Sequence, residues 1–363
     1  MRALILGGGV IGTSIAYHLA SRGADVTVIE RSTIACAASG KSGGFLAFDW
    51  CDGTPLMHLA RRSFELHAKL AEDLDGDWGY RRLTTYAGTV RQSSPRTSRR
   101  PLLKWTSSEV EINGRLGSAA TTAQVHPAAF TTHMMRAAQE RGAELRLARI
   151  TGLLRRGGDV VGVDLDGETL EGDAIVIAMG PWSVLATRWL SLPPVFGMKG
   201  HSLVFETGAM MPPEAVFLEY EEKAGSTLSP EIFPRPDGTT CVCAISSDSP
   251  VPVDPDFVVP DDDAIDRLKT LCDRISPVLA GSRILASQAC YRPMTQDGLP
   301  LIGAIPAARG AYVATGHSVW GILNAPATAE AIAELILDGA AKTVDLSPFD
   351  PARLPPSILH ISQ

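Results

Sequence analysis

Residues 3–6 are all apolar, a run too short for a helix but long enough for a strand buried on both faces. Residues 13–22 then take up helical spacing. Gly23 stands where a helix C-cap needs a residue free to turn left-handed, and residues 25–30 alternate into a second strand. Strand-like patterns recur at residues 84–90, through 202–245 (HSLVFE and TTCVCAI among them) and at 311–314. Residues 261–275 predict a helix with acids in its first turn. Residues 322–337 predict another, with an apolar stripe of Ile322, Ala325, Ala329, Ile332, Ala333 and Ile336. Pro326 suits that helix if it falls in the first turn, where its missing N–H is not needed.

Between the first strand and the first helix lies Gly7-Gly8-Gly9-Val10-Ile11-Gly12, a GxGxxG turn. Gly7 permits the tight turn, Gly9 lets backbone approach a pyrophosphate, and Gly12 lets the helix pack on the strand. Val10 and Ile11 open a helix whose N-terminal N–H groups and dipole suit phosphate. Glu30 closes the second strand, where a carboxylate can accept both hydroxyls of an adenosine ribose and repel a 2′-phosphate. The whole strand–turn–helix–strand–acid unit predicts a dinucleotide site.

The segment after Glu30 separates FAD from NAD. Residues 31–45 are mostly small, so a long flat ligand can lie against main chain. The Ser39 and Ser42 hydroxyls are available to phosphate or ribitol, with Gly43 and Gly44 beside them. An NAD enzyme would instead continue into another strand–helix unit.

Composition narrows the rest. With 363 residues, 45% hydrophobic and 20% charged, two connected domains with large cores are expected. The net charge of −7 gives no electrostatic case for nucleic acid or an anionic membrane. Arg91, Arg96, Arg99, Arg100 and Lys104 lie among Ser and Pro and are read as a solvated loop. The six cysteines follow no disulfide framework and the eight histidines form no ligand set, so free thiols and no metal are expected. The glycines argue against reading the N-terminus as a signal peptide, and no stretch of about 18 apolar residues occurs. The last four residues, 360–363, form no peroxisomal address, and a cytoplasmic protein is expected.

Residues 7–31 with the later ASGKSGG resemble the D-amino-acid oxidase, glycine oxidase and sarcosine oxidase superfamily of FAD-dependent enzymes. Gln124-Val125-His126-Pro127, Arg141-Gly142-Ala143, residues 173–183, residues 292–303 and residues 315–321 resemble further family blocks, in the family's order. The resemblance implies an α/β fold, with a Rossmann-like FAD-binding domain and a second α+β substrate domain on an antiparallel sheet. Residues 1–80, 121–190 and 285–363 are assigned to the first, and 81–120 and 191–284 to the second. It implies FAD held noncovalently, with Arg31, Gly180, Trp182, Gly316, His317, Trp320, Gly321 and Ile322 joining the cofactor residues above.

The implied reaction is oxidation of the C–N bond of a small amino acid or amine, with O2 or another acceptor taking the electrons. Arg292 is the expected catalytic anchor, because a bidentate guanidinium fixes a substrate carboxylate and so orients the reacting C–H. Phe48, Trp50, Tyr220 or Tyr291 are expected as substrate walls or hydroxyl donors, with Glu231 or Arg235 nearby. Cys290 matches the cysteine that carries covalent flavin in some relatives, against the alternative of a packed apolar thiol. Other readings are a flavin-bound scaffold without turnover and an NAD-dependent dehydrogenase, the latter disfavoured by ASGKSGG.

Overall fold

The computed structural model describes residues 1–90, 102–222 and 225–357. Arg91, Arg96, Arg99 and Arg100 and the last four residues lie outside them. Leu4, Leu6 and Ile29 point to one face of the first sheet and Ala3, Ile5 and Val28 to the other, as period-2 side chains must. That sheet runs Leu301–Ala304, Ala311–Thr315, Ala174–Ile177, Arg2–Leu6, Asp25–Glu30, Glu144–Leu147 from edge to edge. All neighbours are parallel except the antiparallel edge strand Leu301–Ala304. Helices Val10–Ser21, Met57–Asp73, Pro127–Gln139 and Gly321–Asp338 cover one face. A small antiparallel sheet, Ile150–Arg156, Asp159–Leu165 and Glu168–Glu171, covers the other. The first helix begins at Val10, directly on the glycine turn, and Gly23 takes φ +81° behind it.

A second, larger sheet runs Arg283–Met294, Phe196–Glu206, Thr239–Ser247, Glu231–Pro234, Glu214–Glu221, Thr84–Val90, Val110–Gly117. It is antiparallel except where Glu214–Glu221 runs parallel to Thr84–Val90. The helix Asp262–Ile275 packs beneath it through Ile265, Leu268, Leu271 and Ile275. Residues 285–294 therefore sit with this sheet, not with the parallel one to which the family blocks assigned them. Their partner strand, Phe196–Glu206, lies far earlier in the chain, and local pattern carries no information on such pairing.

Pro326 differs from expectation too. The last helix starts at Gly321, so Pro326 falls in its second turn and leaves the Ile322 carbonyl without its helical donor. His67 Nε2 donates to that carbonyl at 2.9 Å, and Ser63 Oγ accepts the Ala327 N–H at 2.9 Å. Ser63 and His67 stand four apart on Met57–Asp73, so one face of that helix splices the break.

Burial holds His67 and His18 at about 4, against 6.5 in an unfolded chain. The unfolded state thus binds protons that the fold excludes. Stability should be full above pH 6.5 and fall as pH drops toward 4, by up to ~1.4 kcal/mol per pH unit for each histidine. Urea midpoints measured across that range check this; a flat midpoint overturns it.

Candidate functional site

A cavity of about 510 Å³ lies between the carboxyl ends of the parallel strands and one face of the large sheet. Open α/β sheets place ligands at this position. Its floor is the glycine turn. Gly7 takes φ +114°, and an added Cβ would lie 2.5 Å from the Ala178 carbonyl oxygen. At Gly12 a Cβ would lie 2.0 Å from the Gly7 carbonyl oxygen, so helix and strand touch backbone to backbone.

Gly9 caps the first helix, and the Val10 N–H donates to Ser39 Oγ at 2.9 Å, which fixes the small-residue loop against the turn. Glu30 accepts the Gly8 N–H on one oxygen at 2.7 Å and the Ser32 N–H on the other at 2.8 Å. Each oxygen keeps a lone pair beside the cavity. Gly43 also lines it; a side chain there would meet the Phe233 ring.

Gly180, at φ +54°, and Trp182 wall the cavity after the strand Ala174–Ile177. Gly321 and Ile322 bring the N-terminus of the last helix to it. His317 lies in the wall with Nε2 on Thr328 Oγ1 at 3.1 Å, and burial lowers it to about 3, so the ring is neutral. The segment after Ser247 closes one side. Arg31 donates to Asp254 at 2.5 Å and to the Val253 carbonyl at 2.9 Å, while Trp182 Nε1 donates to the Pro252 carbonyl at 2.8 Å.

The large sheet supplies the roof. Arg292 Nη1 donates to Ser246 Oγ at 3.0 Å, and its guanidinium lies over Gly200, where a Cβ would come within 3.2 Å of it. No carboxylate among the described residues forms an ion pair with Arg292. Glu231 accepts from the Cys243 thiol at 3.3 Å. Burial pushes the Glu231 carboxyl up, offset by the Cys243 hydrogen bond and the Arg292 charge. Burial likewise pushes the Cys290 thiol up, against the pull of Arg292 and Lys41, so Cys290 is a poor thiolate.

Several expected site residues stand elsewhere. Gly44 and Gly316 are turn residues at φ +81° and +78°, closed in by the Val125 carbonyl and by Thr295. Trp320 packs edge-on to Trp50, which is itself lodged between Phe45 and Phe217 with ring centroids 4.9 Å from each. Phe48 packs on Phe64 under the Arg61 guanidinium. The Tyr220 hydroxyl accepts from Arg274 at 2.7 Å, and the Tyr291 hydroxyl donates to the Pro250 carbonyl at 2.9 Å. Arg235, 6% exposed, donates to the Ser42 carbonyl. Motif reading missed Gly200, Ser202, Cys243 and Lys41, which line the cavity. The alternation in HSLVFE and TTCVCAI puts Ser202 and Cys243 on one face but does not say which face is covered.

Two buried polar atoms in the wall, Ser42 Oγ and His317 Nδ1, have no partner in the protein. With the glycine floor and Glu30 they fit a dinucleotide with polar atoms along its length. Among the described residues no helix is long and apolar enough to cross a membrane, and no cluster of His, Cys, Asp and Glu could hold a metal.

A protein of Schizosaccharomyces pombe named as an oxidoreductase is 31% identical over 377 residues, which cover 96% of this chain and 97% of that one. Glycine oxidase of Pseudomonas aeruginosa is 27% identical, covering 97% of this chain and 98% of its own. Among solved structures, glycine oxidase from Geobacillus kaustophilus superposes with a TM-score of 0.81 at 24% identity, over 97% of this chain and 99% of that one. L-proline dehydrogenase from P. horikoshii gives 0.80 at 22%, over 97% of each chain. Both structures share the fold described above. The DAO family, described as FAD dependent oxidoreductase, matches residues 2–335, and the chain belongs to that family of FAD-dependent enzymes.

Proposed function

We propose that this chain oxidises the C–N bond of a small amino acid or amine, yielding an imine that water hydrolyses. The observation that carries this reading is Arg292: a guanidinium in the cavity wall, steadied by Ser246 and without a carboxylate partner among the described residues. A substrate carboxylate would complete it in bidentate fashion. Bound FAD supplies a two-electron acceptor for the hydride of the substrate's α-C–H. Glu30 would hold the adenosine ribose, the Val10 helix end with Ser39 and Ser42 the phosphates, and the Gly321 helix end would favour negative charge at the far side. Reoxidation by O2 or another acceptor completes the cycle. Sequestration from water is the work of the segment that Arg31 and Trp182 pin over the cavity.

The visible spectrum of the purified protein tests this first. Oxidised-flavin bands that acid precipitation releases into the supernatant are expected, because Cys290 is held as a thiol. Cys290→Ser should retain the colour. Colour left in the pellet would make Cys290 the attachment point. Anaerobic titration with glycine, sarcosine, D-alanine and D-proline should bleach the bands with at least one of them. Bands that no amine or amino acid bleaches would instead indicate a flavin-bound scaffold.

A further inference from the structure

Glu231, Cys243, Ser202 and Gln288 form one row across four strands, each opposite the next in register. In that row Glu231 and Cys243 face the same cavity as Arg292. Glu231 has no ion-pair partner among the described residues; the Cys243 thiol donates to it, and Arg292 acts on it only through its field. On the large-sheet side the cavity wall thus carries one cation and one carboxylate that form no ion pair with each other. A bound zwitterion would satisfy both.

We infer that Glu231 takes the proton of the substrate's ammonium group while Arg292 holds its carboxylate, so that the substrate is an amino acid bearing an N–H and no second carboxylate. This rests on the reaction proposed above. The N–H bond breaks as an O–H bond forms on Glu231. The freed nitrogen lone pair becomes the second bond of C=N as the α-C–H leaves as hydride to FAD. Water then replaces nitrogen, giving an oxo acid and ammonia or a primary amine, and Glu231 returns its proton to solvent. A second carboxylate would meet Glu231 as a like charge.

The groups that act on Glu231 are Cys243 from its neighbouring strand and Arg292 from Arg283–Met294, with Cys241 in the same strand as Cys243; Cys290 and Lys41 line the same cavity, and Phe217, opposite Glu231, is apolar. Burial pushes the Cys243 thiol well up, so it stays a donor to the carboxylate throughout the accessible pH range. A carboxyl whose hold on a proton burial strengthens is a better base for an ammonium than an exposed one.

The test uses the FAD-loaded protein, anaerobic rapid mixing and the four amino acids above. In Glu231→Gln, flavin bleaching near neutral pH should slow by about 10²- to 10⁴-fold. The loss should shrink tenfold per pH unit upward, as the amino group deprotonates unaided. Acetate, a carboxylate without an amine, should perturb the bound-flavin spectrum of Glu231→Gln with an affinity no weaker than that of wild type. Glu231→Asp should keep the acid limb of the pH profile at an intermediate rate. An unchanged rate and profile in Glu231→Gln overturns the inference alone. So does a loss that high pH does not repair, or iminodiacetate bleaching the wild type as fast as sarcosine. Wild-type flavin that no amino acid bleaches overturns the underlying reaction as well.

Discussion

Arg292→Ala should lower kcat/KM for carboxylate-bearing substrates by two to three orders of magnitude, with flavin content and spectrum unchanged. The size reflects truncation of one partner of a desolvated, hydrogen-bonded charge pair, which costs about 2–5 kcal/mol. FAD binding should survive because Arg292 stands on the roof strand Arg283–Met294, opposite the glycine floor. Amines without a carboxylate should lose little, so the ratio of the two substrate classes is the sharper readout. Lysine should restore only part of the loss, since an ammonium cannot hold both carboxylate oxygens in one plane. Steady-state kinetics on an amino acid and its decarboxylated amine decide the matter. Intact amino-acid turnover in Arg292→Ala would show that the anchor is another group. Because Arg292 also pulls the Glu231 carboxyl down, the two substitutions should combine non-additively.

Gly12→Ala should cost the protein its FAD and about 4 kcal/mol or more of stability. A methyl there would lie 2.0 Å from the Gly7 carbonyl oxygen, and that oxygen is backbone, so only a shift of the helix off the strand relieves the clash. That shift moves the N–H groups that face the phosphate space. Gly142→Ala is the control: φ is +92° but open space surrounds the site, so only the ~1–2 kcal/mol of left-handed backbone applies, with flavin retained. The flavin-to-protein absorbance ratio and a thermal melt distinguish them. Gly12→Ala isolated with a full complement of FAD would refute the steric argument. Gly9→Val should also exclude FAD, by a different route. Its Cβ would sit 3.1 Å from Ser39 Oγ, which can rotate, so the fold should hold while the phosphate space is filled.

The positions of these substitutions mark where sequence was readable. The glycine turn and Glu30 were legible because their constraints act within about thirty consecutive residues. Arg292 came from a block of contiguous family residues, and the fold places it in the cavity wall. Phe48, Trp50 and Tyr220 were the right kinds of residue on elements near the site. The direction of Tyr220, though, depends on strand register and on its partner Arg274, while Phe48 and Trp50 sit in the turn after Phe45–Ala47, whose path local pattern does not give. Gly200, Ser202 and Cys243 became wall residues only once Phe196–Glu206 had two neighbours distant in sequence. The repair of Pro326 by His67 spans 255 residues, far beyond any pattern window. Glu231 is an intermediate case: its neighbourhood stood out, but its role needs the Arg292 guanidinium across the sheet.

The strand order of the parallel sheet has a consequence for biosynthesis. Arg2–Leu6 lies between Asp25–Glu30 and Ala174–Ile177, and Ala311–Thr315 extends the sheet before the helix Gly321–Asp338 packs on Val10–Ser21. A nascent chain therefore displays the whole glycine turn early, yet lacks one wall of the cavity until residues 311–338 leave the ribosome. Flavin capture therefore waits for residues 311–338, and a chain that breaks off before Ala311 leaves the Ala174–Ile177 edge unpaired. Such a fragment would be a substrate for chaperones and proteases rather than a weak enzyme.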